Sequence, residues 1–352
     1  QCHFSWKLAR VRGMGDSVLE NGPFGLMDGP DIAPGAAGDL RLKLPDGWAG
    51  FDIVYLTARD SYGRLINTWS WPISGPDVVA RRLVDTAGQS EVTRGENDSS
   101  YVLTAGGVSV SIGKKSGLLL RGGNTAFRNG PILSAGAAEP VKVESRKEGS
   151  DQVVDAIFAG KALCQELKWT MYPSGWLKME VHYFPEDYEF EMAGVNFSYP
   201  EKEVKGVRWM GDGPYRVWKN RMEGVNLGVW NKPYNNTITG EAPYVYPEFK
   251  GYYSNFYWMR LETASQPVTV VCGNEDVFLR LYTPAKPFKS YNVAPVFPGG
   301  DISFMQGIPA IGTKSQKPEN LGPSGKKNMY YDYGRSKEYA KVITLYFDFS
   351  GR

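Results

Sequence analysis

The sequence predicts an all-β protein, and three observations carry that prediction. Its 352 residues include 41 glycines and 23 prolines, above the usual ~7% and ~5%, so the chain turns often. Aromatic residues make up 13%, with 10 Trp and 21 Tyr, and large aromatics favour the pleated, half-buried surface of a strand. Short runs that alternate apolar and polar residues recur between the turns, while no amphipathic stretch of helical period extends beyond a few turns.

Composition removes several function classes. The length suits two domains, or one large β domain with an appendage. Forty basic against 38 acidic side chains, a net charge of +2 without a long basic run, argues against a nucleic-acid partner. Cys2, Cys164 and Cys272 are odd in number and far apart, which excludes a disulfide scaffold. With no C-x-x-C and only His3 and His182, neither a metal site nor a cofactor is expected. No apolar run approaches the ~18 residues of a membrane span. Residues Gln1 to Arg10 lack the features of a signal peptide, which leaves a cytoplasmic chain, one whose export signal was removed, or a piece of something longer.

Local glycine motifs read as turns. Gly13-Met14-Gly15 and Gly211-Asp212-Gly213 lack the third glycine of a dinucleotide loop, and Gly113-Lys114-Lys115-Ser116 lacks the upstream glycine of a phosphate loop. No G-x-S-x-G elbow occurs. The acidic run Glu186 to Glu191 reads as a solvated strand edge or loop. No catalytic residue is expected in the chain.

In order, Phe4 to Leu8 and Leu40 to Leu44 alternate as strands, Pro34-Gly35 and Pro45-Asp46-Gly47 turn the chain around the second, and Phe51 to Ala58 and Ile66 to Ile73 add two more. Short strands at close intervals suggest an immunoglobulin-like β-sandwich over residues 1–76. Composition shifts between Gly75 and Ser100, with Val78 to Val84 as a strand of either unit. From residue 77 to 352 the pattern predicts one large antiparallel β domain. Val108 to Ile112 and Leu118 to Leu120 flank a turn at Gly113 to Gly117; Gln165 to Tyr172 and Trp176 to Phe184 flank Pro173-Ser174-Gly175. Tyr252 to Glu262, Val268 to Cys272, Val277 to Tyr282 and Val342 to Phe349 are further strands. A domain this large predicts two packed sheets. Pro284 to Arg335, rich in Pro, Gly, Lys and Asn, shows few strand signals, and a loop that long is functional or disordered.

The most distinctive stretch runs from Gly206 to Leu261. Val207-Arg208-Trp209-Met210-Gly211-Asp212-Gly213-Pro214-Tyr215 continues through Arg216, Trp218 and Arg221 to Gly228-Val229-Trp230. Pro243-Tyr244-Val245-Tyr246-Pro247-Glu248-Phe249-Lys250-Gly251 then leads to Tyr257-Trp258. This resembles the C-terminal small-chain domain of family 2 glycoside hydrolases, the β-galactosidase group. In that domain a strand ends in a Gly-x-Gly-Pro turn, and a Pro-Tyr-Val-x-Pro segment precedes a Gly and another strand. Val108 to Leu119 resembles the family's opening hairpin. Phe4-Ser5-Trp6, Asp31 to Gly35 and the Leu40 to Leu44 strand are similar to its preceding immunoglobulin-like domain.

The resemblance implies a β-supersandwich of galactose mutarotase-like architecture over residues 77–352. It places the two catalytic glutamates on a (β/α)8 barrel ahead of these domains, and nothing here reads as eight strand–helix units. The chain is then a non-catalytic accessory region that completes an active-site rim. Its expected partners are the catalytic barrel of the same parent enzyme and carbohydrate, with no nucleic acid and no membrane, and homo-oligomer contacts left open. The family's role in glycan breakdown implies a periplasmic or secreted parent, with a cytoplasmic one as the alternative. A late family loop carries a tryptophan towards the catalytic pocket. Its counterpart here is Gly325 to Arg335, where Tyr330-Tyr331-Asp332-Tyr333 stands in place of the tryptophan. The family's Gln-Glu-Asn is replaced by Glu248-Phe249-Lys250.

The residues make their own case for sugar contact. A sugar ring presents an apolar C–H face to an aromatic ring and hydroxyls to planar polar groups. Trp209, Tyr215, Trp218, Arg221, Trp230, Tyr234, Tyr244, Tyr246 and Trp258 supply such groups, with Glu248, Tyr331 and Asp332 beside them. Trp209 and Trp258, inside strand-like runs, read rather as core. Arg221 and Glu248 could equally form an ion pair between loops. Two other readings share these features: a free-standing carbohydrate-binding module, and a mutarotase-like epimerase, which would need positioned histidines.

Overall fold

The computed structural model describes residues 2–15, 19–237, 244–284, 296–332 and 334–352. The chain opens with β1 (His3–Val11), β2 (Leu19–Asp28), β3 (Ile53–Arg59) and β4 (Leu65–Pro72), then helix α1 (Pro76–Leu83). Next come β5 (Thr93–Glu96), β6 (Ser100–Ala105), β7 (Val108–Gly113), β8 (Leu119–Gly122), β9 (Arg128–Leu133), β10 (Lys142–Glu148), β11 (Asp151–Ile157) and β12 (Cys164–Met171). They are followed by β13 (Leu177–Tyr183), β14 (Glu189–Phe190), β15 (Ala193–Ser198), β16 (Val204–Gly213), β17 (Asn226–Pro233), β18 (Gly251–Tyr253) and β19 (Trp258–Thr263). Last are β20 (Val268–Cys272), β21 (Phe278–Leu281), β22 (Ile302–Gly307), β23 (Asn328–Met329) and β24 (Lys341–Asp348). Among the described residues α1 is the one α-helix, and no helix is long and apolar enough to cross a membrane.

The first four strands form an antiparallel sheet in the order β2-β1-β3-β4. Trp6, Leu8 and Leu56 line one face, and Leu40, Leu42 and Leu44 pack onto it. This corrects the expected Leu40 to Leu44 strand. The segment lies across the face instead of along an edge, so its alternating side chains fill the core while its backbone joins no ladder. The expected strand over Val78 to Val84 is also overturned, because it forms α1. Pro76 occupies the first turn, where no N–H is needed. Arg81 pairs with Asp77 at 2.9 Å one turn away, and Val79 and Ala80 turn one face inward.

The rest is a two-layer sandwich. One nine-stranded sheet has the order β10-β11-β12-β13-β24-β20-β19-β16-β17, and the other β18-β21-β22-β15-β9-β8-β7-β6-β5. The all-β expectation and its two packed sheets hold. Phe197 of the second sheet and Phe127, just before β9, each meet Phe347 of the first at 5.6 Å between ring centres. The Trp169 indole N–H crosses the layer to the Gly117 carbonyl at 2.8 Å. Two expected segments divide differently. Tyr252 to Glu262 is β18 and β19, one in each sheet, with the chain crossing between them where Asn255 adopts φ 52°. Inside the loop-like Pro284 to Arg335 stretch lies β22, an interior strand between β21 and β15.

The first sheet's outer face explains how the N-terminal unit sits. Met210, Trp258, Val271 and Tyr346 follow one another across β16, β19, β20 and β24. They pack under Val79 and Ala80 of α1 and under Ala9, Val11 and Ile53 of the small sheet. The Tyr55 hydroxyl donates to the Leu227 carbonyl at 2.8 Å and the Tyr257 hydroxyl to that of Ser74 at 2.9 Å, tying the two units together.

Candidate functional site

Close packing explains the two motifs. A Cβ on Gly213 would lie 2.7 Å from Cδ1 of Trp230, whose indole N–H donates to the Gly211 carbonyl at 3.1 Å. Gly251 adopts φ 137°, and its Cβ would fall 2.8 Å from Cδ of Arg216. The Gly213 turn therefore delivers Arg216 onto Gly251, and the two motifs pack against each other. Arg216 pairs with Glu248 at 3.2 Å and donates to the Lys250 carbonyl at 3.3 Å. The expected Arg221–Glu248 pair is thereby corrected. Arg221 forms a bridge with Trp218 that directs its guanidinium to the Gly312 carbonyl at 3.0 Å.

Lys232, absent from the expected site, lies at the centre of this region and is only 3% exposed. Its ammonium donates to the carbonyls of Pro214 and Glu248 at 2.7 and 2.8 Å and to the Tyr253 hydroxyl at 2.9 Å. It also stands 4.6 Å from the Tyr253 ring centre and 5.2 Å from that of Trp209. Burial pushes its pKa down to about 7; the Glu248 carboxylate opposes that shift and the Arg216 charge adds to it. The signal was present in the alternation of β17, which puts Lys232 on the same face as Trp230.

Around this centre Lys250 pairs with Glu201 at 2.6 Å and donates to Oδ1 of Asn236 at 2.6 Å. The Tyr234 hydroxyl donates to Glu201 at 2.5 Å, and its ring meets Phe249 edge-on at 5.2 Å. Burial raises the Tyr234 pKa, and Glu201 raises it further. Tyr244 and Tyr246 project from this frame as an exposed pair, their rings 5.9 Å apart and 14° from parallel. Pro243 lies outside the described residues.

Trp218 serves the core. It is 7% exposed and meets Tyr252 and Phe297 edge-on at 5.4 Å each. Trp209 and Trp258 are fully buried, as expected. The exposed Tyr215 begins a segment that holds the late loop. Lys219 donates to the carbonyls of Lys326 and Lys327 at 2.7 and 2.9 Å, and Asn220 exchanges two 2.9 Å bonds with Ile311.

The late loop reaches a small cleft. The Tyr330 N–H donates to the Tyr188 carbonyl at 2.9 Å, and Tyr331, 65% exposed, sets its ring 4.3 Å from that of Tyr188. Phe184, Glu186, Asp187, Asp332 and Arg335 complete a cavity of about 190 Å³. Oδ1 of Asp332 accepts the Gly334 N–H at 2.8 Å, while Oδ2 is buried and accepts no bond from the described residues. Arg335 closes the side through the Lys161 carbonyl at 2.9 Å. Burial raises the Tyr330 pKa, and Asp332 adds to that shift. Tyr333 lies outside the described residues. Aromatic rings of Tyr188 and Tyr330 beside the Asp332 carboxylate are the chemistry that binds a polyhydroxylated ring. The two histidines stand apart from this cleft: His3 meets Asp28 at 2.9 Å on the small sheet, and His182 lies on β13 opposite Glu166.

Fold and loop geometry define a large all-β sandwich protein whose two sequence motifs and late loop interlock at the strand ends. Residues 104–296, more than half of the chain, match the family model of the β-galactosidase small chain. The chain belongs to the β-galactosidase small-chain family. The match takes in both motifs and stops before the late loop. No curated protein matches the chain.

Proposed function

We propose that this chain is the non-catalytic accessory region of a β-galactosidase-like glycoside hydrolase of family 2, and that its late loop completes the active-site rim on a catalytic (β/α)8 barrel of the same parent enzyme. The family match over residues 104–296 carries the reading. The cleft lined by Tyr188, Tyr330 and Asp332 supports the rim role, since it sets aromatic rings beside a carboxylate. In this reading residues 1–76 are an immunoglobulin-like unit, residues 77–352 a mutarotase-like supersandwich, and the parent enzyme is exported.

The purified chain is expected to leave a chromogenic β-galactoside intact. Mixed with the barrel-containing remainder of a β-galactosidase stripped of its small-chain region, it should restore turnover. In that mixture Asp332→Ala should lower kcat/KM roughly tenfold, about 1.4 kcal/mol of transition-state stabilisation. Thermal unfolding of the chain should not move. Turnover by the chain alone, or a mixture indifferent to Asp332→Ala, would overturn the reading.

A further inference from the structure

The outer face of the first sheet changes character one pleat repeat away from the apolar row beneath α1. There the register sets Arg208 opposite Arg260, Arg260 opposite Thr269, and Thr269 opposite Asp348. These four residues form a polar row across four adjacent strands, in which Thr269 and Asp348 are buried and Arg208 and Arg260 half-buried. They floor an open cleft of about 600 Å³, with Trp176 at one side. Met14 and Gly15 rise over it from the small sheet, and Asp85 stands beside it beyond α1.

Three features define what the cleft takes. Its volume lies in the range of sites for drug-sized ligands, ample for a disaccharide. Its charges balance: Arg208, Arg260 and Arg352 face Asp85, Glu262 and Asp348, with Arg260 held by Glu262 at 3.0 Å and by the carbonyls of Gly351 and Arg352, and Arg352 held by Ser350 and the Ser174 carbonyl. A balanced site has no net pull on anions, while the N–H and carboxylate lone-pair positions left over from these internal bonds suit hydroxyls, which both donate and accept. The floor is held by strand ladders, so little ordering is lost on binding.

We propose that this cleft is a second binding site, for a neutral oligosaccharide, built at the seam between the small sheet and the sandwich. It is separate from the rim cleft. Phe184 of the rim follows Tyr183, which pairs with Lys341 at the start of β24, whereas Asp348 of the seam ends that strand. At ~3.4 Å per residue the two lie roughly 24 Å apart. The seam site stands on its own chemistry and does not need the rim role.

Titration calorimetry on the full chain, with lactose and β-linked galactobiose as neutral probes and digalacturonate as the anionic one, tests this. Binding of a neutral probe is expected to persist in the Asp332→Ala chain, where the rim cleft lacks its carboxylate, and to be weakened at least tenfold there by adding Arg208→Ala. Gly15→Phe provides a second block, because Gly15 lines the cleft and no described residue lies within 4 Å of a Cβ there. Circular dichroism confirms that each variant is folded. The proposal falls if no neutral probe binds, if digalacturonate binds more tightly, if binding to the Asp332→Ala chain survives Gly15→Phe, or if it vanishes with Asp332→Ala alone.

Discussion

Replacing Trp169 by alanine should lower the unfolding free energy by roughly 3–5 kcal/mol, the usual cost of removing a fully buried large aromatic. Trp169 has no exposed surface. Its ring sits 6.0 Å from Phe347 within the first sheet, and its N–H is the bond that reaches the Gly117 carbonyl of the second. The substitution opens a cavity between the layers and also leaves a buried carbonyl without its donor. Trp169→Phe separates the two effects, retaining most of the packing and losing the bond, for about 1–2 kcal/mol. Urea titration measures both. A loss below about 1 kcal/mol for Trp169→Ala would show that this ring does not hold the layers together.

The second large effect is a pH dependence set by Lys232. In the unfolded chain a lysine titrates near ~10.4, whereas burial brings the folded group to about 7. Above the higher value both states are neutral, and below the lower one both are charged. Between them the unfolded chain holds a proton that the folded one lacks, so falling pH favours unfolding. The contribution of Lys232 is therefore present at high pH and lost as pH falls towards 7, with a slope of up to about 1.4 kcal/mol per pH unit. Urea midpoints between pH 7 and 9.5 lie below the range in which the buried tyrosines titrate and report this slope. Lys232→Met should flatten it. Parallel curves for the two proteins would remove Lys232 as its source.

How much of this could be read from the chain depended on the distance between interacting residues. Local alternation was sufficient for β7 and for the β12–β13 hairpin, because period-2 burial is written into neighbouring positions. Val78 to Leu83 misled because β-branched residues favour strands, while the helix there is decided by Pro76 and by the apolar seat beneath it. Trp218 looked like a loop ring; its partner Phe297 lies far along the chain, and only folding makes it core. The Tyr188–Tyr331 contact and the Arg208–Arg260–Thr269–Asp348 row share this property. Each needs the register of strands distant in sequence, which composition and motif spacing do not contain. Lys232 differs, since alternation alone placed it inward, and the expectation that charge stays outside hid it.

One feature of the sheet order bears on how the protein is made. β24 lies in the middle of the first sheet, hydrogen-bonded to β13 on one side and β20 on the other. Both neighbours leave the ribosome earlier, β13 by roughly 10–30 s at ~5–20 residues per second. Throughout that interval the nascent chain carries two half-sheets with raw inner edges, the kind of surface that recruits stray strands. A translational stall before Lys341 should therefore release an adhesive product, and efficient biosynthesis should depend on shielding until the closing strand arrives.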